Sequence, residues 1–173
     1  AIMRRHHVIL LLLLTCTLQA QTFYRFRHHG REQGLSNLNV NCALQDSRGL
    51  LWVGTNIGLN RFDGSRFHTY FATSSEDNHS MPSNSVTALA EDENGCLWVG
   101  TNNGLCTFDL QYDRFDGIEE KGLGHGNQIF SLKFDPKGRL WAITDKQLVR
   151  YSPSDKSLKT YEHPLALLMS KNG

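Results

Sequence analysis

The side chains with the widest chemistry are eight histidines, His6, His7, His28, His29, His68, His79, His125 and His163, and four cysteines, Cys16, Cys42, Cys96 and Cys106. No pair shows the His-x-x-x-His or Cys-x-x-Cys spacing that a metal site requires. The histidines read as surface or strand-edge residues. Gly122-Leu-Gly-His-Gly126 is glycine-rich but follows Glu119-Glu-Lys121 rather than a strand. It lacks the Lys-Ser/Thr pair and the Rossmann context that phosphate binding needs, and reads as a flexible loop. No Gly-x-Ser-x-Gly elbow occurs, and no carboxylate pair stands apart from turn aspartates. No catalytic residue, metal ligand or cofactor is therefore assigned, and the ATP-site motifs of a kinase are missing from these residues.

Asparagine offers a different chemistry. A primary amide donates and accepts hydrogen bonds, which suits sugar hydroxyls. Asn37, Asn39, Asn56, Asn84, Asn102 and Asn127 form a candidate ligand-binding set if the fold gathers them on one side. The ordinary alternative is backbone capping at turns and strand starts, where Asn is common.

The elements that must position these residues follow from an internal repeat. Segments starting at Val40, Val86 and Ile129 align without gaps around Trp52, Trp98 and Trp141, which stand 46 and 43 positions apart. Six residues before each Trp is an Asp (Asp46, Asp92, Asp135), and three before it a Gly (Gly49, Gly95, Gly138). One before it is a Leu, and ten after it comes Phe62, Phe108 or Tyr151. A period in the low-to-middle forties with several short strands per unit predicts β-propeller blades. The recurring aromatic and Leu positions then serve packing between blades, so they are structural and not ligand contacts.

Turn chemistry divides each unit into four antiparallel strands, A to D. Asp-x-x-Gly makes the A–B turn, where the Asp side chain accepts from nearby amides and Gly takes the left-handed position. Asn56-Ile-Gly58 and Asn102-Asn-Gly104 make B–C turns, and Asp63-Gly64 ends strand C. In the first unit the strands are placed at about 40–46, 50–55, 58–62 and 66–71. This topology puts the start of A, the B–C turn and the D-to-A linker on one ring face, together with the six asparagines. If the strands of the second unit pair around Asn102 and Asn103, Cys106 faces Val99 rather than Cys96, so no disulfide is expected between the two cysteines.

The ends have a separate reading. Met3-Arg-Arg-His-His7, the apolar run Val8 to Leu14 and Ala20-Gln21 predict a signal peptide cleaved near Ala20. The run falls well short of the roughly 20 apolar residues of a membrane span. Tyr24-Arg-Phe-Arg-His-His29 resembles strand D of the first unit and reads as an orphan outer strand that closes a last blade. The expected organisation is a signal peptide over 1–20 and an orphan strand over 21–33. Blades follow over 34–72, 73–118 and 119–162, and a linker begins over 163–173. A ring takes roughly 4–8 blades, so three blades make an incomplete, all-β propeller with unpaired faces. Eighteen basic against seventeen acidic residues, a net charge of +1, give no footprint for nucleic acid.

The pattern Leu-Ser-Asn…Val…Asp-x-x-Gly-x-Leu-Trp-Val-Gly-Thr-x-x-Gly-Leu-x-x-Phe-Asp over Leu35 to Asp63, with its copy over Pro82 to Asp109, resembles the two-component regulator propeller repeat. The third copy departs from it, with Trp141-Ala-Ile-Thr-Asp145 in place of Trp-Val-Gly-Thr and no Gly before Leu148. The resemblance implies the N-terminal part of a periplasmic sensor with seven-bladed propellers, followed by a β-sandwich and a membrane helix. In Bacteroides-type bacteria it implies a hybrid histidine kinase, dimeric in its full-length form, that senses oligosaccharides and regulates glycan use. The partners so implied are an oligosaccharide or other small periplasmic ligand and the remaining blades. The alternatives are the same sensor on a diguanylate cyclase, a periplasmic propeller lyase or glycosidase, and a scaffold without signalling.

Overall fold

A computed structural model describes residues 28, 30–73 and 79–161 of the chain. The expected signal peptide, residues 21–27 and 29 of the span expected for the orphan strand, and the linker from 163 lie outside the described residues, while Arg31–Gln33 of that span form a 3-10 turn.

Among the described residues, twelve strands form three four-stranded antiparallel sheets, each a consecutive meander. The first holds β1 (Val40–Gln45), β2 (Leu51–Thr55), β3 (Gly58–Phe62) and β4 (Phe67–Tyr70). The second holds β5 (Val86–Glu91), β6 (Leu97–Thr101), β7 (Gly104–Asp109) and β8 (Arg114–Gly117). The third holds β9 (Ile129–Phe134), β10 (Leu140–Thr144), β11 (Leu148–Ser152) and β12 (Ser157–Tyr161). These are propeller blades, all-β as the spacing predicts, and the strands of the first fall within one residue of their expected bounds. A 3-10 turn, Arg31–Gln33, precedes β1.

The repeated residues explain why each blade forms. In the A–B turn the Asp46 Oδ1 accepts the amides of Arg48 (3.0 Å) and Leu50 (2.8 Å), while Gly49 adopts φ +85°. Its Oδ2 accepts from the Trp52 indole at 3.0 Å, and Asp92 with Trp98 (3.1 Å) and Asp135 with Trp141 (3.0 Å) repeat the bond. One carboxylate thus closes the turn and fixes the rotamer of the large core residue beside it. At the other end of strand B, Thr55, Thr101 and Thr144 are each fully buried. Their hydroxyls accept from the B–C turn (Ile57, Asn103 and Lys146 amides) and donate to the Gly58, Gly104 and Gln147 carbonyls at 2.8–3.0 Å. The third blade keeps this staple although Gln147 replaces the turn glycine.

Packing between blades makes the core. Trp52 meets Phe108 of the second blade edge-on at 5.3 Å, and Tyr70 meets Phe108 and Phe115 at 4.9 and 5.9 Å. Trp98 meets Phe134 and Tyr151 of the third blade at 5.7 and 6.1 Å. Such pairs contribute about 0.5–1.5 kcal/mol each beyond the area they bury. The first residue of each inner strand reports on the neighbour it has. Val86 and Ile129, covered by a preceding blade, are fully buried, whereas Val40 is 50% exposed.

Candidate functional site

The ring face that carries strand A starts, B–C turns and D-to-A linkers is assembled by backbone bonds within and between blades. Asn56 N donates to Asn39 O (3.2 Å), Asn102 N to Ser85 O (3.0 Å) and Asp145 N to Gln128 O (3.0 Å). Gly58 N reaches across to Asn84 O of the next linker at 2.7 Å. These bonds bring Asn39, Asn56, Asn84 and Asn102 to one face, with Asn37 and Asn127 in the linkers beside them.

Their side chains divide into two groups. Asn84 Oδ1 accepts the Ala72 amide at 2.7 Å, and Asn127, 9% exposed, donates Nδ2 to Gly124 O and His125 O. Asn37 Oδ1 accepts the Asn39 amide at 2.7 Å. These three hold linkers in shape, as capping residues do. Asn39, Asn56 and Asn102 are exposed, and Asn56 Oδ1 accepts from Asn41 Nδ2 at 2.9 Å. These three are the solvent-exposed members of the set.

Sequence spacing missed a second cluster on the same face. Asn103 Nδ2 lies 3.0 Å from His125 Nδ1, and its Oδ1 accepts the Gly126 amide at 3.0 Å. Lys146 Nζ donates to Gly126 O (2.7 Å) and Asn127 Oδ1 (3.1 Å). The loop Gly122–Gly126, read as flexible, is instead anchored: Leu123 is fully buried and its carbonyl accepts the Leu105 amide at 2.9 Å. The signal was the apolar residue preceding each strand A, Leu35, Met81 and Leu123, all buried.

On the opposite face a polar cleft of about 440 Å³ lies between the first and second blades, lined by Arg48, Asn94, Cys96, Asp109, Gln111 and Asp116 among others. The Asp116 carboxylate is held by Arg114 and His79, so it is engaged in surface ion pairing. Cys42, Cys96 and Cys106 are free thiols, and Cys106 pairs across the hairpin with Val99 as expected. Burial pushes the thiols of Cys42 and Cys96 up to about 11 and Cys106 further still. They behave as small apolar core residues rather than nucleophiles. Among the described residues no three His, Cys, Asp or Glu side chains converge as metal ligands would.

Repeated four-stranded antiparallel blades define a β-propeller fold, here with a polar, amide-rich loop face. Residues 34–56 and 80–103 match the two component regulator propeller family, so the first two blades carry that repeat. The chain is also similar to solved extracellular domains of hybrid two-component systems of B. thetaiotaomicron. It shares 27% identity and a TM-score of 0.70 with BT3049, over 79% of this chain and 20% of that one. For BT4673 the identity is 27% and the TM-score 0.63, over 77% of this chain and 18% of that one. Histidine kinase P4 of Formosa agariphila is 44% identical over 64 residues, which is 36% of this chain and 5% of the kinase. Virginiamycin B lyase of Staphylococcus aureus shares the fold alone, at 15% identity and a TM-score of 0.56 over 72% of this chain and 41% of the lyase. The chain therefore spans about a fifth of the extracellular domains it matches.

Proposed function

We propose that these three blades are the N-terminal part of the periplasmic sensor domain of a membrane-bound hybrid histidine kinase that detects oligosaccharides and controls genes for their use. The observation that carries this reading is the 27% identity, at a TM-score of 0.70, to the extracellular domain of a hybrid two-component system. That match covers 79% of this chain, and the regulator repeat is matched separately over residues 34–56 and 80–103. The signal peptide expected over residues 1–20 delivers the blades to the periplasm, and the kinase, receiver and DNA-binding parts lie in the rest of the parent protein.

The role of this segment is recognition rather than phosphotransfer. Rigid blades hold the loop face at fixed geometry, and loops on a rigid scaffold are where binding residues collect. Asn39, Asn56 and Asn102 offer exposed amides there, and the Asn103–His125 pair extends the polar surface into the third blade. Signalling then follows from differential affinity: the oligosaccharide binds one arrangement of the dimeric receptor better and shifts the population toward it. The full-length receptor in proteoliposomes tests this directly. Autophosphorylation should change on adding one class of oligosaccharide to the periplasmic side. A receptor whose autophosphorylation responds to no oligosaccharide would defeat the glycan assignment.

A further inference from the structure

The two junctions between blades share an inner-corner design that the third blade does not repeat. Gly54 of β2 and Gly100 of β6 leave a hollow that the first inner-strand residue of the next blade fills. A Cβ on Gly54 would stand 2.6 Å from Val86 Cγ1, with Cys42 Sγ of the same blade at 2.5 Å, and one on Gly100 would stand 2.7 Å from Ile129 Cγ2. Beside each hollow, the second residue of the inner strand ties itself to the next blade. Asn41 Nδ2 donates to Val86 O at 2.8 Å, and Thr87 Oγ1 donates to Ile129 O at 2.5 Å.

On the third blade both positions have changed together. The register places Ile143 opposite Ser131, as Gly54 stands opposite Cys42 and Gly100 opposite Ala88. Ile143 therefore projects from the sheet where the other blades present a hollow. The counterpart of Asn41 and Thr87 is Phe130, which has no polar side-chain group and is 50% exposed. The rest of the face keeps its pattern. Trp141 stacks with Tyr161 at 5.7 Å, as Trp52 lies against Tyr70 at 6.1 Å.

We propose that the third blade docks a further four-stranded blade whose inner strand opens on glycine, alanine or serine, at the position held by Val86 and Ile129. The inference rests on the reading that further blades follow. Its occupant is argued from continuity with the two junctions already formed and from the 20% of the BT3049 domain that this chain spans. The carbons that Ile143 adds over glycine roughly match those that a small residue removes from Val or Ile. Cores tolerate swaps that conserve volume and resist overpacking. The knob and the hollow have thus changed sides, and Phe130 replaces a polar tie with apolar contact.

The parent sequence beyond Gly173 gives the first test. In all three blades the opening residue stands twelve positions before the repeat Trp. The next repeat should carry Gly, Ala or Ser there. Val, Ile or a larger residue would overturn the docking while leaving the sensor reading intact, and the absence of another repeat would overturn both. The second test uses the complete extracellular domain. Ile143→Gly, or the milder Ile143→Ala, should lower Tm by several degrees, and enlarging the facing small residue to Val should recover most of the loss. An unchanged Tm, or no recovery in the double variant, would contradict the proposal. So would a Tm that rises with protein concentration, since that outcome would put a second copy on this face.

Discussion

Trp52 donates its indole N–H to the Oδ2 of Asp46 at 3.0 Å, while the other oxygen of the same carboxylate holds two amides of the turn. The pair ties the A–B turn of the blade to the largest side chain of its core. Packing between blades therefore depends on a turn residue, buried at 5% exposure, as well as on the apolar side chains that meet there.

Replacing Asp46 with Ala should destabilise the complete extracellular domain by about 2–4 kcal/mol, because a buried indole donor and two amides lose their acceptor together. Trp52→Phe, which removes one donor and keeps most of the ring, should cost less. Urea unfolding of the two variants checks the order. Equal losses would show that the ring packing, and not the shared carboxylate, sets the stability.

Much of this was legible in the sequence, for a physical reason. A turn that needs an Asp acceptor and a left-handed Gly leaves those residue types at fixed spacing, as Asp46, Gly49 and Trp52 do. The strands follow from them. The bond joining Asp46 to Trp52 was not legible, because it exists only once the A–B hairpin closes. Nor was the reason for Gly54, where Val86 from another blade and the Cys42 thiol occupy the space a side chain would take. For the asparagines the sequence placed the face, but it did not separate Asn84 and Asn127, occupied by backbone groups, from the exposed Asn39, Asn56 and Asn102.

The hollow at Gly54 makes a coupling prediction. Gly54→Ala should destabilise by about 1–3 kcal/mol through overpacking against Val86 and the Cys42 thiol. Val86→Ala in the same protein should relieve part of it, with a coupling energy of about 0.5–3 kcal/mol in a double-mutant cycle. Strict additivity of the two losses would mean that the junction is looser than the structure shows.

Acid should weaken the blades through their turn aspartates. The Arg66 and Ser65 amides hold Asp63 down at about 2, and Arg139 with the Trp141 indole holds Asp135 lower. Burial pushes Asp46 up, but Trp52, the Leu50 amide and Arg48 outweigh it and leave it below its ordinary value. A carboxyl whose folded value is depressed stabilises fully above its unfolded value, about 3.9 for Asp. That contribution disappears as the pH falls through the folded value. Stability should therefore decline between about pH 4 and pH 2, and Asp63→Asn should flatten part of the slope. Unfolding free energy measured against pH checks both, and an unaltered slope in Asp63→Asn would contradict the assignment.

The cysteines should resist alkylation. With Cys42 and Cys96 raised to about 11 by burial, roughly one molecule in a thousand carries a thiolate at pH 8. Iodoacetamide should modify all three sites at least tenfold more slowly in the folded protein than in urea, with Cys106, fully buried, the slowest. Site-resolved mass spectrometry reads the order. Rapid labelling of Cys106 under native conditions would show that the junction between the first two blades opens.

Oligosaccharide binding by the complete extracellular domain, measured by titration calorimetry across a glycan panel, tests the central claim most directly. The account predicts saturable binding of one glycan class, weakened at least tenfold by changing Asn39, Asn56 and Asn102 to Ala with Tm unchanged. Asn84→Ala and Asn127→Ala should lower Tm instead. A domain that folds and binds no member of the panel would contradict the account, and so would binding indifferent to all three exposed asparagines.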